Sequence, residues 1–439
     1  MSEYRQVEKP FLDQLKALGW TVIDQGHGFI PTDPAPSLRT GFREWLLPEV
    51  FRSAVRSLNL TAAGRPWLTD HQLGDLRDQL LRQPNRTLLE ANEAAQALFL
   101  KAQVDRNEVT GEADPVVKLI DFAHPERNQF HAVNQFRVDT PGCVKSFIIP
   151  DIVLFVNGIP LVVVEAKIGD PNTANPLHAA FVQLQRYRNA RPETLLAGLR
   201  EGEPRLFYTN LLLVRTCGQK AQLGTITSGS EHFFAWKDIW PPPDRTANRS
   251  YAPPLGVERE QEMLIQGLLA PATLLDVLRT CTVFMDTDAG RRVKVVCRYQ
   301  QYRAARKIVE RLRAGKTPEA RSGVVWHTQG SGKSLTMVFV ARMIRAAADL
   351  EDFKILLVND RIDLEEQLTA TAKLIGGKVN VIESTAQLRE HLSTAASDVN
   401  MVMVHKFAER AEALPAAIAE ALRRPKAAMR RRSGGPRPP

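Results

Sequence analysis

Between Ile148 and Asp170 the chain reads IIPDIVLFVNGIPLVVVEAKIGD, two apolar runs joined by Asn157-Gly158. β-Branched runs on either side of Asn-Gly predict a β-hairpin. The runs are apolar at nearly every position rather than alternating, so both strands belong in a sheet interior with a layer on each face. Helical patterns lie on both sides in sequence. EKPFLDQLKALGW and LLPEVFRSAVRSL precede the hairpin, HAAFVQLQRYRNA follows it, and LFYTNLLLVRT then reads as a further strand. That order predicts an α/β fold. Within this apolar frame Asp151, Glu165 and Lys167 stand out, because an unpaired buried charge is costly.

Alternate residues on a strand share a face, so Glu165 and Lys167 project together. A strict two-residue loop would set Asp151 opposite Val164 and turn Glu165 away. A type I turn with Gly158 as a G1 bulge shifts the pairing by one and sets Asp151 opposite Glu165. The bulged form is the one expected. Two adjacent carboxylates repel each other unless a cation neutralises them. Mg²⁺ takes oxygen ligands and keeps several waters, which makes Asp151 and Glu165 the candidate metal ligands. Lys167 beside them can orient the attacking water or stabilise phosphorus as it becomes five-coordinate. This is a metal-assisted phosphodiesterase pattern; the competing reading is three strand-end charges without chemistry. On the following helix Gln183 and Tyr187 fall one turn apart, flanked by Arg186 and Arg188. That face can contact the lysine and a DNA backbone, or can be plain solvated surface.

A second motif lies in GVVWHTQGSGKSLTM. It predicts a strand, a glycine-containing loop, and a helix opening at Lys333-Ser334. Gly330, Ser331 and Gly332 can close backbone N–H groups around a phosphate at the helix start. Lys333 would reach the outer phosphates of ATP and the Ser334 hydroxyl would ligate Mg²⁺. The full motif starts with glycine six positions before the lysine, where this chain has His327. KILLVND, KVNVIES and NMVMVHK are further short strands of a parallel sheet.

Composition limits the alternatives. The net charge is +9, but the stretch from Arg423 to Pro439 holds six arginines, Lys426 and no acid, leaving the rest near neutral. A nucleic-acid partner must therefore be argued from sites rather than from overall charge. Cys143, Cys217, Cys281 and Cys297 form no CxxC pair, as expected of reduced thiols in the cytoplasm. The prolines and Asp151 in the hairpin argue against a membrane span.

Together these segments resemble the restriction (R) subunit of type I restriction-modification enzymes. The resemblance is carried by Pro150-Asp151 with Glu165-Ala166-Lys167, by QLQRY (Gln183 to Tyr187), and by GTITS ahead of Trp236. RYQQYRAARKIVERL, WHTQGSGKSLTM, VNDRIDLEEQL and MVHKF continue it to about Phe407. It implies a PD-(D/E)xK nuclease domain followed by a RecA-like helicase lobe, with Mg²⁺ and ATP as cofactors. Double-stranded DNA and the methylation (M) and specificity (S) subunits would be its partners. By the same resemblance Gln301 would read adenine, and Asp360 and Arg361 would lie in the next helicase motif. The alternative for those two is a polar strand end with Asp363 capping a helix. An acidic residue on the first helix should join the nuclease site, either Glu8 or Glu44.

The expected organisation is a nuclease domain over 1–245, a linker and helical lead-in over 246–300, a partial helicase lobe over 301–420, and a basic tail over 421–439. The family's Asp-Glu box and second motor lobe do not follow MVHKF, so the chain reads as a truncated or frameshifted R subunit with ATP hydrolysis lost. The competing functional reading is a non-catalytic remnant or assembly module that docks on the M and S subunits.

Overall fold

The computed structural model describes residues 2–169, 175–241, 259–359, 372–376, 379–394 and 397–403. Two compact units divide at Ala304/Ala305. The division falls inside the helix Tyr299–Ala314.

In the first unit the helices α1 (Lys9–Ala17), α2 (Pro48–Leu58), α3 (Asp70–Leu81), α4 (Leu88–Leu100) and α5 (Pro176–Tyr187) accompany one sheet. Its strands are β1 (Thr21–Ile23), β2 (Phe130–Asn134), β3 (Ile152–Val156), β4 (Ile159–Ala166), β5 (Leu212–Thr216) and β6 (Ala221–Gly224). Among the described residues the six run in the spatial order β1-β2-β3-β4-β5-β6. The β1/β2 and β4/β5 pairs are parallel, and the other neighbours are antiparallel. Every residue of β3 and β4 is buried, as their unbroken apolar pattern requires. On one face Val153, Phe155, Val163 and Leu213 pack with Phe181 and Leu184 of α5 and with Leu47 and Val50 at the start of α2. Each such aliphatic side chain contributes about 1.5–3 kcal/mol when fully buried.

The hairpin turn is tighter than the expected one. Asn157 and Gly158 both have positive φ, 51° and 75°, so the turn is type I′ and pairs Val156 with Ile159. The bulge lies further along, between Leu154 and Phe155 on β3, where Leu161 is the extra residue on β4. There two successive carbonyls address the chain entering β5 instead of alternating. Pro160 O accepts the Thr209 hydroxyl at 2.7 Å, and Leu161 O accepts the Leu211 N–H at 2.6 Å. A bulge is also where a strand tolerates proline. Beyond it Ile152 faces Val164, so the next pair outward is Asp151 and Glu165. The expected register is reached through a different device.

Residues 259–304 belong to the first unit rather than forming a lead-in between domains. Helix α6 (Glu260–Gly267) packs on α1 and β6, and α7 (Pro271–Thr280) leads into the antiparallel pair β7 (Thr282–Asp286) and β8 (Arg292–Val296). Lys294 of β8 fixes this addition. Its ammonium donates to Asn92 Oδ1 at 2.8 Å and Asn210 O at 2.7 Å, and burial pushes its pKa down to about 7. The proline-rich stretch 242–258 lies outside the described residues, as does the basic tail.

Helix α8 (Tyr299–Ala314) carries the division between the units. The second unit then has α9 (Lys333–Ala346), β9 (Ile355–Asn359), β10 (Val379–Ile382), α10 (Thr385–Ser393) and β11 (Val399–Met403). The described strands form a parallel sheet in the order β9-β11-β10. No single described helix is long and apolar enough to cross a membrane.

Candidate active site

β3 and β4 bring the hairpin's charged residues to one sheet end. Asp151 Oδ2 accepts the Ala166 N–H at 2.8 Å, across the pair of strands. The backbone around Asp151 is held by β2's continuation, with Gln135 N–H donating to Asp151 O at 2.8 Å. Lys167 Nζ lies 2.6 Å from Glu165 Oε1, 3.6 Å from Asp151 Oδ2 and 3.5 Å from Glu3 Oε1. The two expected carboxylates, Asp151 and Glu165, therefore converge on the Lys167 ammonium, with Glu3 beside them. The lysine is itself fixed by its N–H to Thr216 O (2.9 Å) and its Nζ to Ala166 O (2.6 Å).

Glu8, rather than Glu44, joins them. Glu3, Glu8 and Asp151 each offer an oxygen within 4.8 Å of the others. Gln135 Nε2 donates to Glu8 Oε2 at 3.1 Å. Glu44 instead closes a local turn, accepting the Thr40 N–H at 2.7 Å and the Thr40 hydroxyl at 3.0 Å. Glu3 was not legible as a site residue. Five positions from Glu8, it would sit on a different face of an α-helix, but Tyr4–Glu8 forms a π-helical turn, in which i and i+5 align.

The electrostatics follow from burial. Glu8 is pushed up to about 8, first by burial and then by Asp151. Burial raises Asp151 to about 6, although the Lys167 ammonium and the Ala166 N–H pull the other way. Glu165, 1% exposed, lies well above the usual carboxylate range through burial and the neighbouring Asp151. Burial opposes the charge on Lys167, but Glu165, Asp151 and Glu3 outweigh it and raise its pKa. One ammonium serves several buried carboxyls, an arrangement that a divalent cation relieves. Glu165 Oε2 is buried with no hydrogen-bond partner among the described residues. The residues present thus fit an oxygen-ligated ion.

Gln183 and Tyr187 lie beneath this site, not on an outward face. Gln183 Nε2 donates to the Tyr187 hydroxyl at 3.0 Å, and that hydroxyl, beside the Glu165 carboxylate, donates to Ile149 O at 2.8 Å. Tyr187 is 1% exposed and holds the segment two residues before Asp151. Arg188 is also buried, donating to Ile226 O, with its pKa lowered to about 10 by burial. The expected DNA-facing surface of this helix is therefore not formed by Tyr187 and Arg188; both point into the core.

In the second unit, Gly330 and Gly332 adopt positive φ (76° and 77°), and α9 opens at Lys333 and Ser334. Ser331 Oγ and Lys333 Nζ both donate to Thr328 O, at 2.6 and 2.8 Å, so the loop curls about that carbonyl. The expected strand GVVWHT does not form. Among the described residues no strand pairs with 323–328, and Val324 and Trp326 are 91% and 80% exposed. β11 already has a partner on each side, β9 and β10. An apolar cavity of about 350 Å³, lined by Val325, His327, Lys333, Met337, Ile355 and Leu357, opens beside the loop. Gln301, in the first unit, is buried, and its Oε1 accepts the Arg298 N–H at 2.8 Å. Asp360, Arg361 and the segment from His405 onward lie outside the described residues.

Comparison with known proteins agrees with both halves. Residues 300–427 match the SWI2/SNF2 ATPase family. The HindI type I restriction enzyme endonuclease subunit of Haemophilus influenzae is 29% identical over 93% of this chain. A Methanocaldococcus jannaschii protein, provisionally named type I restriction enzyme MjaIXP endonuclease subunit, is 26% identical over 94%. The chain spans 37% and 38% of the lengths of these two relatives. Residues 1–240, more than half of the chain, match the family described as type I restriction enzyme R protein N terminus, and the chain belongs to that family.

Proposed function

We propose that the first unit is a PD-(D/E)xK-type nuclease that cuts double-stranded DNA with Mg²⁺, as part of an ATP-dependent type I restriction enzyme. The observation that carries this reading is the convergence of Asp151, Glu165 and Glu3 on the Lys167 ammonium, with Glu8 beside Asp151. Asp151 and Glu165, with Glu8 in support, would hold the ion. A bound divalent ion supplies Lewis-acid polarisation of the scissile phosphate and lowers the pKa of its water. Lys167 orients the attacking water and neutralises charge that develops on the phosphoryl oxygens. Tyr187 and Gln183 act from below by fixing Ile149 and hence the position of Asp151. Relatives named as endonuclease subunits support assignment to a complex with M and S subunits. In the test, the full chain is incubated with supercoiled plasmid and Mg²⁺. Nicking that stops on chelation, and is lost in Asp151→Asn, is the expected result. Nicking equal in wild type and Asp151→Asn would sink the reading.

The second unit binds ATP through Gly330 to Ser334, with Lys333 on the outer phosphates and Ser334 toward Mg²⁺. The two left-handed glycines at the start of α9 support this. Charged hydrogen bonds are worth about 1.5–3 kcal/mol. Lys333→Ala is accordingly expected to weaken binding of a fluorescent ATP analogue at least about tenfold. Unchanged affinity would exclude this loop as the phosphate site.

A further inference from the structure

Glu3 makes two different contacts at the end of β4. Its Oε2 accepts the Ile168 N–H at 3.0 Å, and its Oε1 stands 3.5 Å from Lys167 Nζ. The same ammonium is closest to Glu165, at 2.6 Å, and lies 3.6 Å from Asp151. The closest carboxylate is also a proposed ligand of the ion. A divalent cation and an ammonium on one buried carboxylate repel strongly, because little solvent screens them. Once an ion takes Asp151 and Glu165, the ammonium needs another anion. Glu3 is the remaining carboxylate within ion-pair distance of it among the described residues. The flexible lysine stem allows that short move, and the Ile168 N–H keeps Glu3 from following the ion.

We infer that Glu3 is a positioning residue: it receives the Lys167 ammonium when a divalent cation occupies Asp151 and Glu165. This rests on the metal-dependent nuclease reading above. In that loaded state Glu3, rather than Glu165, aims the lysine at the phosphate. The contact with Ile168 links this charge to the backbone where the chain leaves β4.

The test is Mn²⁺ binding to the full chain by titration calorimetry. Glu3→Gln keeps the side-chain shape and an oxygen for the Ile168 N–H, and removes only the charge. It is expected to weaken Mn²⁺ binding about tenfold, the lower end for a residue supporting a metal site. In a Lys167→Met background the same change is expected to have no effect, because a residue acting through the ammonium loses its role with it. Glu3→Asp, which keeps the charge, is expected to bind nearer to wild type than Glu3→Gln. Equal weakening in both backgrounds would make Glu3 a direct ion ligand and overturn the inference. Wild-type affinity in Glu3→Gln would reduce Glu3 to a backbone clamp and overturn it as well. If Asp151→Asn binds Mn²⁺ as tightly as wild type, the nuclease reading fails, and this inference with it.

Discussion

Lys167→Met is expected to lower the proposed Mg²⁺-dependent plasmid cleavage about a hundred- to thousandfold, the usual cost of deleting a group that stabilises transition-state charge. The substitution keeps most of the apolar stem and removes only the cation. Its effect on the resting protein is different. Removing one partner of a buried ion pair costs about 3–5 kcal/mol if the charge stays. Here the cost is smaller, because Glu165 already sits well above the ordinary carboxylate range and takes up a proton instead. The expected signature is therefore a folded protein with nearly normal melting, severely reduced turnover, and more proton release on binding Mn²⁺ than wild type. Turnover within a few fold of wild type would remove Lys167 from the chemistry.

Gly158→Ala is expected to destabilise the first unit by about 3 kcal/mol or more. Two costs combine. A non-glycine residue in the left-handed region loses about 1–2 kcal/mol, and overpacking a tight site adds about 1–3 kcal/mol. The site is tight because α2 begins directly on the turn. A Cβ on Gly158 would lie 2.6 Å from both Leu47 O and Phe51 N, which are backbone atoms with nowhere to go. Leu47 N–H also donates to Gly158 O at 2.9 Å, and Asn157 is bound to Leu119 O, Asn128 and Gln129. The check is the urea midpoint read by tryptophan fluorescence, since five of the six tryptophans lie in residues 1–304. A loss below about 1 kcal/mol would mean that the turn relaxes away from α2.

The central hairpin and its partners were legible because they rest on short-range rules: Asn-Gly turns, unbroken apolar strands, and the two-residue alternation of side chains. The facing of Asp151 and Glu165 was expected from a bulge at Gly158, whereas the extra residue that produces it is Leu161. Four further features were not legible. Glu3 depends on a π-helical turn, and periodicity arguments assume 3.6 residues per turn. The inward course of Tyr187 and Arg188 depends on which face of α5 meets the sheet. The apolar residues that settle it, Phe181 and Leu184, are matched in number by polar ones. The exposure of Val324 to Trp326 contradicts a strong local strand pattern, and it does so because strand formation needs a partner edge that no single segment encodes. The pair β7/β8 was missed for a related reason. Its second strand, β8, interleaves Arg292 and Lys294 with valine, and Lys294 reads as a solvent-facing residue until Asn92 and Asn210 are seen around it.

The extra residue at Leu161 has an effect well away from where it sits. It is roughly 13 Å along the strand from Glu165 at ordinary rise and touches none of the ionisable groups. Yet it decides which of two alternating sets of side chains arrives at the sheet end. Without it Asp151 would meet a valine, and the carboxylates would be distributed over opposite surfaces of the layer. The chemistry is thus aimed by a counting step in the backbone. Loss of one aliphatic residue far from these carboxylates would separate Asp151 from Glu165 while leaving every acidic and basic group in the sequence untouched.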